Sequence, residues 1–443
     1  MKKLLCAVSA VALTAVLAAC GQDGAAPSGS SQPSAGATEK TVLKVMHARP
    51  DPTDPLYIYY EDVKARFEAA HPEYRVEYEI YDGETYKKKL QIYGTSNTMP
   101  DVFYVWSNPS EFDPYVNAGL AAELNPADFA SYDFLPGALE NATVDGKLVG
   151  LPMSIDYWYL YVNQKLFDDN GIKVPTTLSE MKEAVKAFNA LDIAPVVMNG
   201  KELWNQSVLL DDFLFRFSGG DPEPRFNAVR QQSTFASNPA FTEAANAMKE
   251  LIDLGMFQSS WESDDDATAK NLFLQGKAAM RWTGTWENGM VSDAGALPEV
   301  RDNLTIIPFP SPDGTDLRTS LEGREGTSMM VSAASPNKEA GIEFLKTFFD
   351  PAVYPKACIE QNITIPMQTF ESYVPQDAPP LIKTVASSIA SAKSVSSHPF
   401  SFALTPAFEQ ASKDLNMAFF LGQIDAAELW KQTDEAAAAN QVQ

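Results

Sequence analysis

Short apolar runs alternate with segments of helical spacing over the first part of the chain. Tyr60, Val63, Phe67 and Ala70 recur at spacings of three and four, which is typical of one face of a helix. Residues 102–106 (VFYVW) form a continuous apolar run, as buried parallel strands do. The predicted elements are a strand at 42–46, a helix at 60–70, a strand at 76–80, a helix at 87–93 and a strand at 102–106. This β-α-β-α-β order predicts an α/β lobe.

The pattern shifts towards helix in the middle of the chain. Residues 157–162 predict an aromatic strand, and residues 177–180 have the spacing of a helix-capping box ahead of a helical run. Further helices are predicted at 207–217, 239–254, 264–275 and 335–349 and beyond 405, with strands at 278–282 and 305–309. The chain therefore reads as a mixed α/β protein whose 443 residues suffice for two or three domains.

The N-terminal segment is typical of export. Two lysines precede an apolar run, residues 4–16, that is too short to span a bilayer. The run ends in residues 17–20 (LAAC), which resemble the lipobox of bacterial lipoproteins. We expect residues 1–19 to be a lipoprotein signal peptide and Cys20 to carry the lipid anchor, on the extracellular face of the cell membrane. The alternative is an ordinary secretory signal that is cleaved near a chance cysteine.

The next segment, residues 20–40, is rich in glycine, serine, alanine and proline and almost lacks large apolar side chains. Such a segment cannot bury enough surface to offset its ordering entropy, so we expect a flexible tether. A tether is useful where a soluble body must reach something from a membrane.

Composition narrows the partners. The formal charge of −24 argues against nucleic acid and against a body that lies flat on an anionic membrane. Once Cys6 leaves with the signal and Cys20 is acylated, Cys358 remains alone, so the mature protein has no intrachain disulfide. The three histidines lack metal-ligand spacing, and residues 264–266 lack the alternation of a calcium loop. We expect neither a metal nor a cofactor.

Four blocks of the sequence resemble one family in register. Residues 145–188 begin with DGKLVGLP and continue into an aromatic strand, a Gly-Ile and a capped helix. Residues 99–103 (MPDVF), residues 273–286 (FLQGKAAM followed by GTW) and residues 326–349 match further blocks in the same order. Together they resemble the extracellular solute-binding proteins of carbohydrate ABC transporters. One departure is Val162, where the family usually has tyrosine.

The resemblance implies a two-lobed α/β receptor of the periplasmic-binding-protein type II fold, in which hinge-linked lobes close over a solute. We expect lobe 1 to comprise residues 41–154 and 308–366, and lobe 2 residues 155–307 and 367–443. We expect a monomer that makes and breaks no bond, and that passes its ligand to a membrane-embedded ABC permease.

Sugars present apolar faces and paired hydroxyls, which aromatic rings and planar polar groups match. Such residues should lie where strands end and the chain crosses between lobes. The resemblance implies that Asp156 is a binding carboxylate and that Trp286 is a stacking residue. The candidate ligand-binding residues are Arg49, Asp51, Asp82, Trp106, Asn108, Asp156, Tyr157, Trp204, Trp286, Glu322, Arg324 and Phe402.

Two alternatives stay open. The acids among these candidates would also suit a non-sugar solute such as a polyamine, a peptide or a metal chelate. An exported glycoside hydrolase would need two carboxylates at a defined separation, which the sequence does not exclude. The aromatic residues and the two arginines favour an oligosaccharide.

Overall fold

A computed structural model of the protein describes residues 40–135, 138–392, 394–396 and 405–440. Its strands are β1 Thr41–His47, β2 Tyr74–Ile80, β3 Val102–Trp106, β4 Thr143–Val144, β5 Lys147–Leu148, β6 Leu151–Pro152, β7 Ser154–Asn163, β8 Ala194–Val197, β9 Ala278–Gly284, β10 Leu304–Ile307, β11 Ser320–Glu325, β12 Thr327–Val331, β13 Ile365–Pro366 and β14 Ser394–Ser396.

The helices surround two of the sheets that these strands form. They are α1 Pro55–Ala70, α2 Gly83–Ser96, α3 Pro109–Asn117, α4 Gln164–Asp169, α5 Leu178–Ala190, α6 Trp204–Phe217, α7 Glu223–Val229, α8 Pro239–Asp253, α9 Asp266–Leu274, α10 Pro298–Arg301, α11 Lys338–Phe348, α12 Tyr354–Glu360, α13 Pro380–Ala390, α14 Pro406–Phe420 and α15 Ala426–Ala439. Short 3₁₀ helices cover Pro126–Phe129, Thr285–Ser292 and Glu371–Tyr373. No helix in the described part of the chain is long and apolar enough to cross a membrane.

The first sheet has the strand order β2-β1-β3-β12-β6. Strand β1 runs parallel to both β2 and β3, whereas β12 is antiparallel to β3. Parallel neighbours need helical crossovers, and α1 and α2 supply them. The β-α-β-α-β order predicted from the sequence is confirmed, and Phe67, Phe103 and Phe344 pack within its core.

The second sheet is built around β7, a ten-residue strand with the sequence SIDYWYLYVN. Strands β9, β10, β11 and β13 all pair with it in antiparallel fashion, and β8 extends the sheet beyond β9. Almost every residue of β7 is buried, because helices and neighbouring strands cover both of its faces. A second core, which includes Trp158, Phe213 and Trp282, forms against this sheet.

The chain passes between the two sheets at three places. It enters the second sheet between β6 and β7, returns to the first sheet between β11 and β12 at Gly326, and pairs with β7 again at β13. The sequence predicted that lobe 2 extends without a break to residue 307 and that residues 308–366 belong to lobe 1. That boundary is wrong, since β11 still pairs with β7 as far as Glu325.

Candidate functional site

The pairing of β7 with β11 sets two opposite charges side by side. Arg324 lies directly across from Asp156 in the register of the two strands, and both residues are buried. Oδ1 of Asp156 accepts a hydrogen bond of 3.0 Å from Oγ of Ser154. Burial raises the pKa of Asp156, while the guanidinium of Arg324 opposes that rise.

A glycine makes room for this carboxylate. A Cβ atom on Gly326 would lie 2.2 Å from Oγ of Ser154 and 2.7 Å from Oδ2 of Asp156. Real Cβ atoms do not approach so closely, so a larger residue here would displace the carboxylate. The glycine at the second crossing thus allows the backbone to pass directly against Asp156.

Arg324 connects the two halves of the molecule. Its Nη1 atom donates a hydrogen bond of 3.1 Å to Oδ1 of Asn108, which lies between β3 and α3 on the first half. Its guanidinium also lies 5.5 Å from the ring centre of Trp158 on β7. Asn108 and Arg324, both predicted as site residues, are therefore brought together across the junction.

Three tryptophan side chains contact one another next to Arg324. The ring of Trp286 meets that of Trp158 edge to face at 5.8 Å, and it meets the ring of Trp204 in the same manner at 5.8 Å. Trp158 is buried, whereas Trp204 and Trp286 keep part of their surface exposed. The tryptophan cluster, defined as Trp158, Trp204 and Trp286, thus extends the Asp156–Arg324 pair with an apolar surface.

Trp106, at the end of β3, is part-exposed on the first half. Nζ of Lys87 lies 4.5 Å from its ring centre, and its edges contact Tyr86 and Tyr104. Lys87 is held there by Glu111, with Nζ and Oε1 2.9 Å apart. One face of the Trp106 ring therefore already carries a cation.

Three other candidates have local partners. Oδ1 of Asp51 accepts hydrogen bonds from the backbone N–H and the hydroxyl of Thr53, and these two bonds close a turn. Asp82 is the N-cap of α2 and accepts from the backbone N–H of Thr85 at 3.0 Å. Nη1 of Arg49 lies 3.6 Å from Oδ2 of Asp54.

Glu322 and Tyr157 are buried in the second half. Glu322 accepts two hydrogen bonds from Arg225, at 3.0 and 2.8 Å, and Arg225 also pairs with Asp211 at 2.6 Å. This buried ion cluster occupies both carboxylate oxygens of Glu322 with a protein cation. Burial raises the pKa of Tyr157 to about 12, and its ring packs on Gly323. Phe402 and Cys20 lie outside the described residues.

Sequence reasoning missed a group of polar residues at the same junction. Glu409, in the first turn of α14, accepts a hydrogen bond from Oγ of Ser110 in the first turn of α3. Its other oxygen pairs with Nζ of Lys413 at 2.6 Å. The spacing of Glu409 and Lys413 is a visible signal of an i, i+4 helix pair, but the burial of both residues is not visible in the sequence.

The cations around the junction are matched by acids. Ion pairs join Arg49 with Asp54, Lys87 with Glu111, and Lys413 with Glu409, and Arg324 lies across from Asp156 on the neighbouring strand. Within the described ranges, no three His, Cys, Asp or Glu side chains come together in a way that could hold a metal ion. The arrangement offers aromatic faces beside these paired polar groups.

Two α/β halves, joined by three crossings and meeting at a polar and aromatic junction, define a two-lobed binding protein. The family model of the bacterial extracellular solute-binding proteins matches residues 49–355, and the chain belongs to that family. The family and the structural neighbours are receptors for solutes. This confirms the family and the fold class that the sequence blocks indicated.

Curated relatives are distant. The chain is 25% identical to an uncharacterized ABC transporter extracellular-binding protein of Pyrococcus horikoshii, over 57% of each chain. It is 23% identical to the multiple sugar-binding protein of Streptococcus mutans, over 57% of this chain and 59% of that protein. The aligned part is thus less than two thirds of either relative.

Solved structures match over a longer span. A structure from work on xylan utilization by Caldanaerobius polysaccharolyticus is 25% identical, with a TM-score of 0.80 over 89% of this chain and 99% of that one. A chitin oligosaccharide binding protein reaches a TM-score of 0.81 at 18% identity, over 90% of this chain and 98% of that one. At 18% identity the second likeness shows the fold alone.

Proposed function

We propose that this protein is an extracellular receptor that binds an oligosaccharide at the junction of its two halves and delivers it to an ABC permease. The observation that carries the proposal is the tryptophan cluster beside the Asp156–Arg324 pair. Indole rings match the apolar faces of sugar rings, while carboxylate and guanidinium groups match neighbouring hydroxyls. The multiple sugar-binding protein of Streptococcus mutans and the structure from work on xylan utilization support the same ligand class.

The charge pairing favours a neutral sugar over a polyamine. A polycation would need carboxylates without their own cations, because a buried charge has to be matched to offset its desolvation. Of the four acids that suggested a cation, the two buried ones have an arginine beside them, since Asp156 lies across from Arg324 and Glu322 binds Arg225. The other two, Asp51 and Asp82, are exposed and accept local hydrogen bonds from threonines. A neutral hydroxylated ligand requires no such free charge.

The same pairing favours a receptor over a hydrolase. A glycosidase uses one carboxyl group as a proton donor and a second as nucleophile or base. Asp156 lies across from the guanidinium of Arg324, which opposes the rise that burial produces in its pKa, and Glu409 is paired with Lys413. We therefore propose binding and closure without bond cleavage, in a monomeric protein with no cofactor.

Attachment to the membrane belongs to the same proposal. A receptor outside a single membrane would diffuse away without an anchor, and residues 17–20 supply a lipobox-like sequence. We propose that Cys20 is lipidated and that the following residues tether the receptor near its permease. A Cys20→Ala variant should appear in the culture medium, and retention in the membrane fraction would contradict the anchor.

A thermal-shift screen tests the ligand class. The panel contains xylo-, chito- and malto-oligosaccharides and raffinose, with spermidine and short peptides as the competing classes. A ligand at 100 times its dissociation constant stabilises the native state by about 2.7 kcal/mol, which gives a readily measured shift. Shifts with a sugar that is recovered intact support the receptor. Shifts with spermidine or peptides alone overturn the sugar, and consumption of the sugar overturns the absence of catalysis.

A further inference from the structure

One hydrogen bond joins the two halves directly at a buried position. Oγ of Ser110 donates to Oε2 of Glu409, and both residues are at most 5% exposed. Ser110 belongs to α3, which follows the first sheet at β3. Glu409 belongs to α14, and the preceding residue of that helix, Phe408, packs in the core of the second half. The bond therefore exists only while the halves are together.

A continuous polar chain runs through this contact. Nδ2 of Asn108 donates to Oγ of Ser110 at 2.6 Å, and Oδ1 of Asn108 accepts from Arg324 at 3.1 Å. Lys413 pairs with the far oxygen of Glu409 at 2.6 Å. The interlobe chain, defined as Arg324, Asn108, Ser110, Glu409 and Lys413, thus crosses the junction twice. Such a network orients each member through the next.

The two hydrogen bonds that join the halves, Arg324 to Asn108 and Ser110 to Glu409, differ in their surroundings. Arg324 also faces Asp156 and lies over Trp158, so it belongs to the proposed sugar site. Glu409 and Ser110 are bonded to each other and to the rest of the interlobe chain. Hydrogen bonds to a charged acceptor are stronger than neutral ones, so this pair can hold the halves together without contact with a ligand.

We propose that Ser110 and Glu409 are positioning residues that hold the two halves closed around a bound solute and so set how slowly the solute leaves. The retention part of this inference rests on the proposed receptor function, whereas the closure part does not. Since a closure contact acts on the conformational equilibrium, its loss lowers the apparent affinity for each solute by the same factor.

The experiment uses the full mature chain and the variants Ser110→Ala, Glu409→Gln and their combination. The matched control is Asp414→Asn, which removes the charge from a polar pair with Gln410 at the same i, i+4 spacing on the exposed face of α14. Dissociation rates are measured by stopped flow for every sugar that shifts the melting temperature. Ser110→Ala should raise each rate by the same factor, about tenfold for loss of one bond to a charged acceptor. The control should leave the rates unchanged.

A direct measure of closure needs no ligand. Spin labels on Ile92→Cys in α2 and Leu191→Cys after α5 report the distance between the halves, because both positions are exposed and Cys358 is buried. Ser110→Ala should broaden this distance distribution towards longer values, and Asp414→Asn should not.

Three results would overturn the inference. Changes that differ from sugar to sugar would mean that the pair contacts the ligand. An unchanged distance distribution in Ser110→Ala would mean that the pair does not hold the halves, even if Glu409→Gln misfolds. Non-additive loss is expected in the double variant, and additive loss would show that the two residues act separately. If no sugar binds, the proposed function fails while the distance measurement still decides closure.

Discussion

The ring of Trp286 lies 5.8 Å from that of Trp204, centre to centre, at an interplanar angle of 66°. Trp286 comes from the 3₁₀ helix after β9, and Trp204 opens α6, so two separate segments form one aromatic corner. Trp158 supports Trp286 from β7 at a similar distance. A planar apolar ligand face can therefore be gripped by side chains whose own positions are fixed by packing.

Replacement of Trp286 by alanine should remove most of the affinity for the bound oligosaccharide. Loss of one large apolar contact surface costs about 1.5–3 kcal/mol, which is roughly a tenfold to hundredfold change in the dissociation constant. Isothermal titration checks the constant. Trp286→Phe keeps an aromatic ring, so its affinity should lie between that of the parent and that of Trp286→Ala. Unchanged affinity in the alanine variant would show that Trp286 is not part of the site.

A substitution at Gly284 provides a second test of the role of Trp286, because this glycine lies directly against the indole ring. A Cβ atom on Gly284 would lie 2.0 Å from Cζ3 of Trp286, so any side chain must push the indole away. Gly284→Ala should therefore weaken sugar binding about as much as Trp286→Ala does. The variant that carries both changes should lose little more, because the ring is already displaced or absent. Full additivity would show that the glycine acts elsewhere.

Some residues of this site could be predicted from the sequence, and others could not. The Gly-Thr-Trp block indicated Trp286, and the residues after β3 and at the start of β7 indicated Asn108 and Asp156. Asp82 was predicted as a ligand-binding residue, whereas the structure shows it as the N-cap of α2, a helix that begins four residues earlier than predicted. The partner of Glu322 was not readable, because Arg225 lies 97 positions away.

The second crossing was also beyond the reach of the pattern. An apolar run shows that a strand is buried but not which sheet it joins, and β10 and β11 both pair with β7. The chain therefore stays with the second half until Gly326. Glu409 could not be predicted as an interlobe residue for the same reason. Its partner Ser110 is 299 positions away in the sequence, and only the fold brings α14 next to it.

Glu322→Gln should separate stability from binding. Removal of one charge from the buried cluster leaves Arg225 with an incomplete partner set, and breaking a buried pair costs about 3–5 kcal/mol. Urea unfolding should show this loss, while the sugar dissociation constant of the folded variant stays near that of the parent. Asp156→Asn should give the opposite pattern, with weaker binding and a smaller loss of stability. A large affinity loss in Glu322→Gln would return this residue to the binding site.

His47 should make the protein sensitive to mild acid. Its ring is fully buried, stacks on Tyr60 at 4.3 Å, and accepts at Nδ1 from the backbone N–H of Arg49 at 3.3 Å. Burial, and to a lesser degree the charge of Arg49, lowers the pKa of His47 from 6.5 to about 3. Between these values the unfolded chain binds a proton that the native state does not.

The sign of this effect follows from proton linkage. The unfolded state binds more protons below pH 6.5, so the free energy of unfolding contributed by His47 falls as the pH is lowered towards 3, by about 1.4 kcal/mol per pH unit. His47→Asn keeps an acceptor near the position of Nδ1 and cannot be protonated. Urea unfolding at pH 7.5 and pH 5 should show that the parent loses about 2 kcal/mol more than the variant does. Equal losses would mean that the native state protonates His47 as readily as the unfolded chain does.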